Sequence, residues 1–182
     1  MVSRNFTFIL GGARSGKSVH AEQLARDSGL PVTYIATAPV SPDAEFAARI
    51  ALHRERRPAH WALREAPLDL AQALDTASGD QQCVLIDCLT LWLTNLLCPA
   101  DGTGPRADAD AHLQAFLAAC ERASGTVIVV SNEIGMGVVP LGAVTRQYVD
   151  ALGRLNQQVA ARADRVLLVA AGLPLVLKSP AP

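Results

Sequence analysis

Aromatic residues make up only 4% of the 182 residues, and the formal net charge at pH 7 is −1. A chain this close to neutral has no general attraction to nucleic acid or to an anionic membrane, so phosphate must be bound at a local site. The scarcity of aromatic rings also argues against a surface on which bases stack. A nucleic-acid partner is therefore not expected.

Cysteine is scarce and dispersed. The four cysteines are Cys83, Cys88, Cys98 and Cys120, and none of them forms a C-x-x-C pair. The histidines are not clustered either, so the spacing fits neither a zinc site nor a disulfide framework. Buried thiols in a reducing compartment are the better interpretation.

Long hydrophobic runs are missing as well. The longest apolar stretch, residues 166–177, is interrupted by Gly172 and Pro174 and is too short to span a bilayer. The N-terminal residues do not have the pattern of a signal peptide. We therefore expect a cytoplasmic protein without membrane insertion.

Short apolar runs alternate with segments of helical periodicity along the chain. Strands are predicted at residues 6–10, 32–36, 61–65, 83–87, 126–131, 165–170 and 174–178. Helices are predicted at residues 18–27, 43–57, 68–77, 89–97, 107–123 and 144–163. This alternation predicts an α/β fold, with a mostly parallel sheet covered by helices on both faces, in one domain spanning residues 1–182. Ligands of such sheets bind beyond the carboxyl ends of the strands, so the residues there are the candidates for function.

A phosphate-binding motif lies between the first predicted strand and helix. It matches G-x-x-x-x-G-K-[ST] throughout and consists of Gly11, Gly12, Ala13, Arg14, Ser15, Gly16, Lys17 and Ser18. Glycines let backbone N–H groups turn toward phosphate oxygens, and the helix N-terminus adds its positive end. Lys17 is expected to bind the β- and γ-phosphates as a catalytic residue, and Ser18 to ligate Mg²⁺. The motif thus predicts a P-loop site for ATP or GTP with Mg²⁺ as cofactor.

Asp87 ends the apolar run 83–87. An acidic residue at the end of a buried strand is typical of the second Mg²⁺-linked group of P-loop enzymes, and we predict that role here. The alternative is an N-cap for the helix predicted at residues 89–97, and the two roles are compatible.

His53 lies among arginines in the helix predicted at residues 43–57. Arg49 precedes it by four residues, and Arg56 and Arg57 follow it by three and four, so all share one side of the helix. The arginines would bind anionic phosphates and lower the pKa of the imidazole, which suits attack on phosphorus. By spacing alone, a solvated basic helix face is the stronger interpretation and a nucleophilic histidine the weaker one.

Further motifs resemble one known family over essentially the whole chain. The matching stretches are residues 11–22, 34–37, 53–61, 87–95, 131–140 and 153–157. The most specific are Asn132-Glu-Ile-Gly-Met-Gly137 and the Arg-Arg-Pro-x-x-Trp segment that ends at Trp61. With these motifs the sequence resembles the bifunctional adenosylcobinamide kinase/adenosylcobinamide-phosphate guanylyltransferases of cobalamin biosynthesis.

The resemblance implies a RecA-like fold, a homotrimer and two reactions. ATP or GTP would phosphorylate the aminopropanol hydroxyl of adenosylcobinamide, and GMP from GTP would then be attached to give adenosylcobinamide-GDP and pyrophosphate. In the family GMP passes through a covalent histidine adduct, and the matching residue here is His53. Some relatives have two adjacent histidines, where this chain has Leu52 before His53. Asn132 and Glu133 are expected to position substrate or nucleotide, with a turn-forming role as the alternative.

Two other functions remain open at this point. A P-loop kinase of another small metabolite would explain residues 11–18 and Asp87, but it leaves His53 and residues 132–137 without a role. A regulatory module that binds GTP without group transfer belongs to a different class. Labelled GTP separates them, because only the nucleotidyltransferase retains GMP covalently after denaturation.

Overall fold

The computed structural model describes residues 5–38, 57–99 and 101–179. The helix predicted at residues 43–57, with Arg49, His53 and Arg56, lies outside the described residues except for Arg57.

The strands are β1 (Asn5–Gly11), β2 (Val32–Ala36), β3 (Ala62–Glu65), β4 (Cys83–Asp87), β5 (Thr126–Asn132), β6 (Arg165–Ala170) and β7 (Leu173–Lys178). The described helices are α1 (Lys17–Asp27), α2 (Leu70–Ala77), α3 (Leu89–Leu97), α4 (Ala109–Arg122) and α5 (Ala143–Arg162). Each strand and helix predicted within the described residues is confirmed, with ends shifted by one or two residues, as expected of pattern-based boundaries.

The strands form one seven-stranded sheet in the order β3-β2-β4-β5-β1-β6-β7. All neighbouring pairs are parallel except β6 and β7, which are antiparallel. Ala171 and Gly172 join β6 to β7 with φ angles of 51° and 80°, the left-handed backbone that a two-residue hairpin requires. The predicted α/β fold is confirmed, with an antiparallel strand at one edge.

Hydrophobic side chains cover both faces of the sheet. Phe8 lies in the cluster that includes residues of α2, α3, α4 and α5, whereas its neighbour Ile9 lies in the cluster that includes Ala21 and Ala25 of α1. This alternation along a central strand is the pattern of a sheet buried on both sides. Helix α1 therefore packs on the second face of the sheet. This packing fixes the position of its first residues, which belong to the P-loop.

Trp92 of α3 makes contacts that hold together the layer formed by α2, α3, α4 and α5. Its indole N–H donates to the carbonyl oxygen of Leu68 at 2.8 Å, and its ring centroid lies 5.1 Å from that of Phe116 on α4. Burial of both aromatic rings with the indole donor satisfied stabilises the contact between these helices. No helix among the described residues is long and apolar enough to cross a bilayer.

Candidate active site

The P-loop begins at the end of β1, where there is no room for a side chain. A Cβ on Gly11 would lie 2.4 Å from Ser15 Oγ and 2.6 Å from the carbonyl oxygen of Val169. Arg14 and Gly16 have φ angles of 58° and 94°, which bend the chain back toward α1. The loop is closed by a hydrogen bond from Ser15 N to Gly12 O at 3.2 Å.

Two neighbouring strand ends hold the P-loop in place. Glu133 N, just after β5, donates to Gly11 O at 3.1 Å, and Gly172 N, just after β6, donates to Ser15 O at 2.8 Å. In the register of the sheet, Gly11 lies between Asn132 of β5 and Val169 of β6. The carboxyl ends of three adjacent strands therefore meet at the cradle.

Lys17 and Ser18 occupy the first turn of α1. Lys17 is buried, and its Nζ donates to Gly12 O at 3.1 Å, which draws the ammonium group back over the loop. His20 N donates to Gly16 O, so the helix continues directly from the loop. The helix N-terminus and the lysine together place positive charge where a phosphate chain is expected to bind.

Asp87 ends β4, which is separated from β1 by β5. The hydroxyl of Tyr34, on the adjacent β2, donates to Asp87 Oδ2 at 3.1 Å. Burial raises the pKa of Tyr34, and the carboxylate of Asp87 raises it further, so the phenol stays protonated and remains a donor. The cap residue of α3 is Cys88 and no side chain caps that helix, which does not support the alternative of Asp87 as an N-cap.

The backbone after Asp87 is fixed by Thr37. Thr37 Oγ1 donates to Cys88 O at 2.7 Å and accepts from Cys88 N at 2.9 Å, and the Asp87–Cys88 peptide bond is cis. Asn95 Nδ2 on α3 in turn donates to Thr37 O at 2.9 Å. Burial and the Asp87 carboxylate raise the pKa of Cys88 to about 11, so this thiol is neutral at physiological pH.

Asn132 and Glu133 lie at the end of β5, as predicted, and side chains of two helices hold the backbone of Asn132. Asn132 N donates to Thr90 Oγ1 of α3 at 2.9 Å, and Asn132 O accepts from Asn156 Nδ2 of α5 at 3.1 Å. Glu133 Oε1 accepts from Gly135 N at 2.8 Å, which is the turn-forming role considered as an alternative. A turn role does not conflict with contact to substrate, and the functional assignment stays a prediction.

The sequence assigns no role to several residues that position this site. Tyr34, Thr37, Thr90 and Asn156 hold the strand ends, and all of them lie in stretches that match the family, but none belongs to the P-loop motif. Thr37 also follows a predicted strand at the carboxyl edge of the sheet, where candidates for function are expected. Thr90 and Asn156 lie on helices, and only the packing of those helices brings them to the strand ends.

Mg²⁺ is compatible with the oxygen donors at this edge. Ser18 offers a hydroxyl and Asp87 a carboxylate, which are the hard ligands that Mg²⁺ prefers. The described residues contain no group of three or more His, Cys, Asp or Glu that could hold a metal by itself. Mg²⁺ needs no such group when it binds together with nucleotide phosphates, so the donor set fits a magnesium–nucleotide complex.

Arg57 is the one residue of the predicted histidine–arginine cluster that the structure describes. Its Cζ lies 4.3 Å from the centroid of the Tyr34 ring, a cation–π contact. Because the same tyrosine binds Asp87, Arg57 is only one side chain away from the predicted metal ligand.

A phosphate cradle between β1 and α1, with an acidic strand end two strands away, defines a P-loop nucleotide-binding protein with a RecA-like sheet. A solved structure of a protein from Pyrococcus horikoshii OT3 has a similar fold, with a TM-score of 0.56, 7% sequence identity, and coverage of 96% of this chain and 86% of that one. At this identity the likeness concerns the fold alone.

The family follows from sequence comparison. The family model described as cobinamide kinase / cobinamide phosphate guanyltransferase matches residues 7–177. The chain therefore belongs to this family of enzymes, which confirms the resemblance carried by its motifs.

Curated relatives match over nearly their full length. The bifunctional adenosylcobalamin biosynthesis protein CobP of Pseudomonas aeruginosa is 53% identical over 170 residues, which cover 93% of this chain and 95% of that protein. The bifunctional adenosylcobalamin biosynthesis proteins CobU of Escherichia coli K12 and Salmonella typhimurium LT2 are each 41% identical, covering 93% of this chain and 98% of those proteins.

Gly11→Ala is expected to destabilise the protein while Gly12→Ala does not. A Cβ at Gly11 would overlap Ser15 Oγ and the Val169 carbonyl oxygen, whereas one at Gly12 would meet nothing within 4 Å. Urea unfolding without nucleotide should show a loss of about 1–3 kcal/mol for Gly11→Ala, the usual cost of overpacking. Gly12→Ala is the matched control, with a change of at most about 0.5 kcal/mol. Equal stability of the two variants would contradict the geometry described for the cradle.

Tyr34→Phe is expected to raise the Mg²⁺ concentration needed for half-maximal activity by about tenfold, because partners of a metal ligand typically contribute that much to metal affinity. Asp87→Asn should raise it further and lower kcat, since the charge is lost while the size is kept. Tyr148→Phe is the control for the Mg²⁺ requirement alone, which should not change, because the Tyr148 hydroxyl binds the Thr90 carbonyl and Thr94, not a carboxylate. The assignment of Asp87 fails if Asp87→Asn melts early but keeps its specific activity and its Mg²⁺ dependence.

Proposed function

We propose that this enzyme phosphorylates adenosylcobinamide with ATP or GTP and then transfers GMP from GTP to the product through a guanylylated His53. The products are adenosylcobinamide-GDP and pyrophosphate. Support comes from the family match over residues 7–177 and from the P-loop geometry on which both steps depend.

The kinase step needs no nucleophile from the enzyme. The acceptor hydroxyl attacks the γ-phosphorus, and its oxygen forms the new P–O bond while the bond to the β–γ bridging oxygen breaks. ADP or GDP leaves with the bridging oxygen, and the hydroxyl proton is released to solvent. The backbone N–H groups of residues 12–18 and the Lys17 ammonium stabilise the charge that develops on the phosphate oxygens. Ser18 and Asp87 would hold Mg²⁺, which supplies further neutralisation of phosphate charge when bound. Glu133, whose backbone N–H contacts the Gly11 carbonyl oxygen, is proposed to orient the acceptor hydroxyl.

The guanylyl step takes place at the α-phosphorus and does use an enzyme nucleophile. An imidazole nitrogen of His53 forms an N–P bond as the bond to pyrophosphate breaks. A phosphate oxygen of adenosylcobinamide phosphate then attacks the same phosphorus and releases the histidine. Splitting the transfer in this way gives each displacement an activated leaving group. Arg49, Arg56 and Arg57 are proposed to bind the phosphates and to keep the imidazole neutral.

The position of Arg57 carries the assignment of the histidine. Arg57 stacks on Tyr34, and Tyr34 binds Asp87 at the carboxyl edge of the sheet. The residue four positions after His53 thus lies at the same edge as the P-loop. This placement favours a role of the histidine–arginine cluster at the nucleotide over a purely solvated basic face.

The proposal also covers the substrate, the oligomeric state and the cellular compartment of the enzyme. The substrate is a small-molecule corrinoid, and the resemblance implies a homotrimer in the cytoplasm. The mass of the assembly in solution tests the trimer directly.

His53→Ala is expected to abolish covalent retention of GMP and guanylyl transfer while at least part of the kinase reaction remains. The reason is that the guanylyl step uses an enzyme nucleophile, whereas the kinase step does not. The measurement is denaturation after incubation with α-³²P-labelled GTP, followed by counting of the protein-bound label. The wild-type adduct should be acid-labile and base-stable, as expected of phosphorus bound to an imidazole nitrogen. His60→Ala, at an exposed position in the same stretch, is the matched control and should label normally.

Labelled GMP on the His53→Ala protein would place the nucleophile elsewhere. Wild-type protein that consumes only the γ-phosphate of GTP, without retaining GMP, would favour a kinase of another metabolite. Binding of GTP with neither reaction would favour the regulatory module.

A further inference from the structure

An exposed apolar segment begins where the P-loop edge ends. Residues 134–144, which we call the apolar segment, follow Asn132 and Glu133 directly. Val138 and Leu141 are 96% and 97% exposed, and Met136 and Val144 are exposed as well. Single apolar side chains on a surface are ordinary, but a contiguous set of large ones marks a binding site.

The backbone of the apolar segment is held by hydrogen bonds at both ends. At its start, Gly135 N donates to Glu133 Oε1 at 2.8 Å. At its end, Arg146 Nη1 of α5 donates to Pro140 O at 3.0 Å and also to Leu141 O. These hydrogen bonds restrain the backbone that carries the exposed side chains, and such restraint lowers the entropic cost of binding a ligand there.

The apolar segment is adjacent to the phosphates that the P-loop would hold. Asn132 pairs with Gly11 in the sheet, and Glu133 N donates to Gly11 O. An acceptor that presents a hydroxyl to a γ-phosphate must place the rest of its mass beyond the carboxyl edge of the sheet. The apolar segment lies on that side of the molecule.

A concave surface continues from the apolar segment. Val144 also lines a groove of about 590 Å³ between α3, α4 and α5, together with Tyr148, Ala151 and Leu155. Three glutamines, Gln114, Gln147 and Gln158, belong to the same lining. The charged side chains of Asp110 and Arg154 line it as well. Apolar walls with a small number of polar groups are typical of pockets for organic ligands that carry hydrogen-bonding substituents.

We propose that the apolar segment and the adjoining groove dock the corrinoid body of the acceptor substrate. This inference rests on the proposed function and adds a docking site to it. A corrinoid is a large macrocycle with apolar faces and a fringe of amide side chains. Its faces match the exposed aliphatic side chains, its amides match the glutamines, and its aminopropanol arm would extend past Glu133 toward the P-loop. Burial of the exposed aliphatic groups against the macrocycle contributes binding free energy for the corrinoid. The nucleotide site, which binds phosphates, does not make such apolar contacts.

The test is the double variant Val138→Ser/Leu141→Ser. These positions are almost fully exposed, so folding should be unaffected. The KM for adenosylcobinamide in the kinase reaction should rise by about tenfold or more, because two aliphatic side chains no longer contact the macrocycle. The Kd for GTP and the mass of the assembly should not change. The matched control is Leu175→Ser/Leu177→Ser on the edge strand β7, where the side chains are 59% and 55% exposed, and it should keep the wild-type KM.

An unchanged KM for adenosylcobinamide in the Val138→Ser/Leu141→Ser enzyme would overturn the docking site. A smaller assembly mass for this variant would overturn it too, since the apolar segment would then be an interface between copies of the chain. Failure of the proposed function looks different, because the wild-type protein would then not phosphorylate adenosylcobinamide at all.

Discussion

The nucleotide site depends on how closely three strand ends approach at Gly11. Its carbonyl oxygen accepts from Glu133 N, its Cα faces Ser15 and the Val169 carbonyl, and Gly172 N holds the other side of the loop through Ser15 O. Only glycine allows this approach. Because the approach fixes the P-loop relative to β5 and β6, it also fixes where the N-terminus of α1 presents its positive charge.

From this constraint outward, polar side chains on helices and neighbouring strands set the positions of the remaining strand ends. Thr37 holds the backbone of Cys88, Thr90 and Asn156 hold the two sides of Asn132, and Tyr34 holds the Asp87 side chain. The hydrogen bonds of these side chains go to other groups of the protein. They restrict the strand-end residues that are predicted to bind nucleotide and substrate, and such pre-organisation is what phosphoryl transfer requires of a protein.

Much of this arrangement could be predicted from the sequence because its signals are local. A continuous apolar run such as residues 83–87 indicates a buried strand, and G-x-x-x-x-G-K-S indicates both a turn and its ligand. The antiparallel pairing of β7 and the clamps from Thr90 and Asn156 depend instead on which elements pack together, and no local pattern records that. Likewise, spacing placed His53 among arginines without distinguishing a nucleophile from a solvated face. The family resemblance favours the nucleophile, and the position of Arg57 against Tyr34 supports a place for the cluster near the nucleotide.

We propose that one P-loop supplies the triphosphate to both reactions, and substitution of Lys17 distinguishes this arrangement from two separate nucleotide sites. The measurement compares Lys17→Ala with the wild type in phosphorylation of adenosylcobinamide by γ-labelled GTP, and in transfer of label from α-labelled GTP to separately supplied adenosylcobinamide phosphate. Both rates should fall by about 10²–10³-fold, as when a donor to developing charge is removed. Lys17→Arg should rescue neither, because a planar guanidinium does not replace the ammonium that contacts Gly12 O. Near wild-type turnover of either reaction in Lys17→Ala would show that this reaction does not use the P-loop.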